Sequence, residues 1–211
     1  MAHPVTLTQP PQTLTQPPQT PELNLLRRWT VTEYHRLYES GILAPDERTE
    51  LLAGEIALMS PKGTPHVLSL RLLSGVLDAL LAQEPVFVST QDPIHLNEFS
   101  EPEPDLAIVQ GTALDYANQH PQPNQIDLVV EVADFTLKQD WGVKDKLYAQ
   151  AGIRDYWVLD VQNRQIHIFR NPTATGYTSH LILSEPHQIA PLAFGDCTID
   201  LTSILPPQAQ S

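Results

Sequence analysis

Two carboxylates and a lysine carry the chemistry that this chain can offer. Asp105 closes the run Glu103-Pro104-Asp105 and leads into apolar residues, Glu131 interrupts the apolar stretch from Ile126 to Val132, and Lys144 follows Asp140 by four places. Two acids and an ammonium are the minimum set for cutting a phosphodiester with a divalent cation, since the acids hold the ion and the lysine meets charge on phosphate. A strand rises about 3.3 Å per residue, so adjacent strand ends can bring Asp105 and Glu131 to one hard cation.

Each residue also has an ordinary reading. An aspartate after a proline at a strand start is a common turn residue. Glu131 is harder to set aside, because Leu128, Val129 and Val130 precede it and Val132 follows. A carboxylate in such a strand is costly unless paired or bound to metal. Strand periodicity would put a sheet-borne lysine two places after Glu131, but Ala133 stands there. Lys144 fills that gap only from a helix. Asp140, Lys144 and Tyr148 are spaced by four and share one helical face, where the aspartate and lysine also suit a plain surface ion pair. His66, at a helix start, reads as a cap or packing residue and alternatively as a general base.

The elements that must position these residues follow from pattern. Thr30 and Glu33 form a capping box for a short helix ending at Gly41. Residues 50–59 read as a hairpin turning at Ala53 and Gly54, with either Glu50 or Glu55 able to flank a site. Leucines from residue 66 to 82 mark a helix buried over much of its circumference. Strands are expected at 86–90, 94–96, 106–109 and 126–132, the last covered on both faces. A helix from Asp140 to Ala151 stops at Gly152, and strands at 155–160, 165–169 and 177–183 complete an α/β architecture with a mixed sheet.

Composition bounds the partners. The 211 residues, 41% apolar, suit one domain of about 22–205 with a loose C-terminus at 206–211. Residues 6–12 (TLTQPPQ) recur as 13–19, and this proline-rich stretch through 21 is expected to be a disordered tail. With 25 acidic against 12 basic residues the formal charge is −13, which repels bulk nucleic acid except where bound cations invert the local field. A single cysteine, Cys197, excludes an internal disulfide and fits a reducing cytoplasm. No run approaches the roughly 18 apolar residues of a membrane span, and no signal-peptide order opens the chain.

The segments Val129 to Asp134, Asp140, Lys144, Tyr148-Ala149, Ala151 to Ile153 and Asp155 to Asp160, with Glu101 to Ala107 and Glu50 to Glu55 upstream, resemble the core signature of the Uma-two family of bacterial restriction endonuclease-like proteins. That resemblance covers most of the chain from Trp29. It implies the PD-(D/E)XK nuclease fold, a mixed sheet flanked by helices with extra hairpins, and a site using Mg2+, with Mn2+ as a substitute. It assigns Asp105 and Glu131 as catalytic metal ligands, Lys144 as the catalytic lysine displaced onto the next helix, and Glu50 as an upstream acid that orients water or a second metal. Nucleic acid, DNA first and RNA second, is the implied substrate, and a homodimer is compatible with it. A non-catalytic interaction protein that keeps the fold is the alternative, followed by a hydrolase of small phosphoesters.

Overall fold

The computed structural model describes residues 26–133 and 141–207. The repeated tail, Asp140 and residues 208–211 lie outside them. Helix α1, Val31–Glu39, begins where the sequence places it, with Thr30 Oγ1 accepting the Glu33 N–H at 3.2 Å and Glu33 Oε2 accepting the Thr30 N–H at 3.1 Å. Strands β1, Thr49–Leu52, and β2, Glu55–Leu58, form the expected hairpin. Its turn needs Gly54: φ is +84°, and a Cβ there would stand 2.5 Å from Arg28 Cβ.

Helix α2, Thr64–Leu80, is followed by β3, Val86–Ser89, β4, Leu106–Gln110, and β5, Ile126–Ala133. Helix α3, Trp141–Ala151, leads to β6, Asp155–Asp160, β7, Gln165–Thr173, and β8, Gly176–Ser184. A short pair, β9 at Gln188–Ile189 and β10 at Ile199–Asp200, precedes α4, Leu201–Ile204. The main sheet has the order β3-β4-β5-β6-β7-β8. Only β5 and β6 run parallel within it, and α3 is the crossover that parallel pairing requires. That helix ends as Gly152 predicts: with φ +86°, its N–H bonds the Ala149 carbonyl and the Ile153 N–H bonds that of Tyr148, satisfying two terminal carbonyls.

Alternation along β5 divides the interior. Leu128, Val130 and Val132 pack with α2 and α4 on one face, whereas Val129 packs with Leu147, Tyr148 and Tyr156 on the other; a register shift between the Leu128 and Ile126 pairings with β4 breaks the alternation and turns Ile126 to that second face as well. Glu131 points to the α3 side. A smaller cluster of Val31, Tyr34 and Leu51 fastens α1 to the hairpin.

Two expectations are corrected. Residues 94–96 form no strand; Ile94 and Leu96 donate their N–H groups to the Pro102 and Ser100 carbonyls and His95 to that of Pro121, so the loop satisfies its backbone by bonding alternately to two different segments. Helix α2 is buried on one face only, with Leu70, Leu73 and Leu77 inside and Val67, Leu68 and Leu80 exposed. No helix among the described residues is long and apolar enough to cross a membrane.

Candidate active site

The pairing of β4 with β5 fixes the two acids. Leu106 faces Val130, so Asp105 lies one place beyond that pair and Glu131 one place beyond it on the neighbouring strand. The Val132 N–H donates to Asp105 Oδ2 at 2.9 Å, tying the aspartate to the residue after Glu131. Both carboxylates therefore stand at one end of the central strand pair.

Helix α3 supplies what the sheet lacks at Ala133. Lys144 Nζ lies 3.1 Å from Glu131 Oε1 and 3.0 Å from Glu50 Oε2, and Tyr148, one turn later, donates its hydroxyl to Glu131 Oε1 at 2.8 Å. The spacing of four thus converges on one carboxylate oxygen. Lys144 is only 8% exposed, which removes the reading of a surface ion pair. Glu50 enters from β1, and its Oε2 also accepts the Glu103 N–H at 3.3 Å. Asp140 lies outside the described residues.

Asp105 has its own set of donors. His66 Nε2, in the first turn of α2, is 2.9 Å from Oδ2; Gln91 Nε2 donates to Oδ1 at 3.2 Å, and Lys62 Nζ is 3.3 Å from the same oxygen. His66 is thus brought to the site. Lys62 and Gln91 are additions that sequence reasoning missed, since both sit in irregular connections where no period marks their direction.

The two acids titrate in opposite directions. Burial pushes Glu131 up from 4.5 to about 7, against the opposing pull of Lys144 and aided by the charges of Asp105 and Glu50. Burial also acts to raise Asp105, but His66, the Val132 N–H and Lys62 outweigh it and hold the carboxyl down at about 2. Burial opposes charge on Lys144, yet Glu131 and Glu50 keep its pKa above the ordinary lysine value.

A raised carboxyl stabilises the fold below its unfolded value and gives that contribution up as pH rises through its folded value. For Glu131 the window runs from about 4.5 to about 7, and stability is expected to fall across it. The slope reaches at most about 1.4 kcal/mol per pH unit. Asp105 contributes in the other sense, with stability present above 3.8 and lost as pH falls through about 2. Urea midpoints between about pH 4.5 and about pH 7 should decline with pH in the unaltered chain, and Glu131→Gln should flatten the decline.

The donor chemistry suits a hard divalent cation. Glu50 and Glu131 share Lys144, Asp105 stands across from Glu131 at the same strand end, and among the described residues none donates to Glu131 Oε2 or Glu50 Oε1. Carboxylates with open oxygens are what Mg2+ and Mn2+ select. Two lysines border them.

Comparison with known proteins bears on this geometry. The model of the Uma2 family, described as "Putative restriction endonuclease", matches residues 31–202. A solved structure described as a putative nuclease belonging to DUF820, from Anabaena variabilis, is similar with a TM-score of 0.65 at 13% identity, covering 83% of this chain and 96% of that one. At that identity the likeness concerns the fold. No curated protein matches the chain.

Proposed function

The chain belongs to the Uma2 family, and from that premise we propose that it is a metal-dependent endonuclease that hydrolyses phosphodiester bonds of nucleic acid, with DNA as substrate. The observation that carries this reading is Lys144 set between Glu131 and Glu50 at the strand end that also bears Asp105. Asp105 and Glu131 would hold Mg2+, or Mn2+ in its place, with Glu50 beside them. Bound there, the ion would supply polarisation of a phosphate oxygen and a water of lowered pKa.

The chain's own residues do the rest. Lys144 keeps a positive charge in a buried setting, where it can meet negative charge developing on phosphate or orient the attacking water. Tyr148 fixes the Glu131 carboxylate by its hydrogen bond. His66 and Lys62 hold Asp105 ionised and aimed. The net charge of −13 favours a second reading, a binding scaffold that keeps the fold, because it gives no broad electrostatic attraction for a polyanion.

Isothermal titration with Mg2+ separates the two. The nuclease reading expects a binding heat in the unaltered chain that Glu131→Ala abolishes. No heat, or an equal heat in the variant, would favour the scaffold.

A further inference from the structure

A second constellation lies away from these acids, on residues that the nuclease reading does not use. Glu101, only 4% exposed, is held by backbone pairing with Leu51, accepting at 3.4 Å and donating at 2.8 Å. A carboxylate this buried needs a cation or donors. Among the described residues no lysine or arginine pairs with it, and its side-chain partners are imidazoles. His35 Nε2, from α1, is 2.5 Å from Oε1, and His95 Nδ1 is 3.4 Å from Oε2. His120 joins them: ligand atoms of His35, Glu101 and His120 all lie within 4.8 Å of one another.

We propose that His35, Glu101 and His120 form a binding site for a zinc-class transition-metal ion, with His95 orienting the glutamate through its other oxygen. Two imidazoles and a carboxylate are the ligand types such ions select over Mg2+. Ligands about 2.1 Å from a tetrahedral ion stand roughly 3.4 Å apart, so small rotations of His35 and His120 admit one. Backbone bonds hold the ligand segments in place: Val31 N–H to the Glu98 carbonyl at 2.8 Å positions α1, and His95 N–H to the Pro121 carbonyl at 2.9 Å positions the loop carrying His120. His35, Glu101 and His120 all line a cleft of about 510 Å3, together with Val31, Tyr116 and Gln122. Three protein ligands with a position open to a cleft leave room for water or an anionic group of a ligand. The ion would also clamp α1 and the loop after β4 to Leu51, the neighbour of Glu50.

The test is Zn2+ titration of the metal-stripped full chain, with Co2+ absorption reporting coordination. One equivalent should bind with a tetrahedral Co2+ spectrum, and Glu131→Gln should leave both unchanged, which separates this site from the nuclease reading. His35→Ala combined with His120→Ala should weaken binding by more than about 100-fold, and His95→Ala by about 10–100-fold, as loss of an orienting partner does. Melting curves in chelator establish that the variants are folded. No Zn2+ binding, or binding undiminished in folded His35→Ala/His120→Ala protein, would overturn the site.

Discussion

Replacing Asp155 by alanine is expected to destabilise the folded chain by about 3–5 kcal/mol, the cost of breaking its ion pair with Arg170 and leaving its other buried donors unsatisfied. Asp155 is fully buried at the start of β6. It accepts from Arg170 Nε at 2.8 Å and Nη2 at 3.2 Å, from Trp157 Nε1 at 3.0 Å and from the Leu192 N–H at 2.7 Å. One carboxylate thus joins β6, β7 and the segment after β9. Alanine strands every one of these donors at once, and a loss of that size approaches the whole stability of many domains, about 5–15 kcal/mol. Asp155→Asn keeps an acceptor oxygen and should cost less. Urea unfolding followed by circular dichroism measures both, and an unchanged midpoint for Asp155→Ala would show that the network contributes little.

Lys144→Ala should separate binding from turnover. Removing a positioned charge that meets the transition state costs about 10²–10³ in rate. The same lysine, 3.1 and 3.0 Å from Glu131 and Glu50, would compete with a metal for these acids under the proposed nuclease reading, so its removal should leave Mg2+ affinity unchanged or higher. Burial of the freed acids need not unfold the chain, since Glu131 already takes up a proton near 7. Single-turnover cleavage read beside calorimetry gives both quantities. Parallel loss of affinity and rate would mean that Lys144 shapes the site and takes no part in the chemistry.

Much of this framework was legible because burial leaves a period in the residues. Val129 and Val130 announce a strand covered on both faces, and Glu131 is conspicuous as the exception within it. Gly152 marks the end of α3, and the spacing of Lys144 and Tyr148 places both on the face that meets Glu131. Alternation at Ile94 and Leu96 misled, because it reports burial and not strand pairing; both side chains are inside, but the backbone bonds two separate loop segments. Lys62 and Gln91 reach Asp105 from connections without regular repeat. His35, Glu101 and His120 are far apart in sequence and meet only through the tertiary path of the loops. Asp105 shows the same limit on the other side: its place at a strand start can be read, but its pairing with His66 depends on where α2 begins in space.

The most direct test is cleavage of plasmid, single-stranded DNA and RNA by the full chain in Mg2+ and Mn2+, beside Glu131→Ala and Lys144→Ala. The nuclease reading predicts metal-dependent cutting of DNA by the unaltered chain, stopped by chelation and lost in both variants. Absence of cutting in all proteins, or equal cutting in all of them, would contradict it.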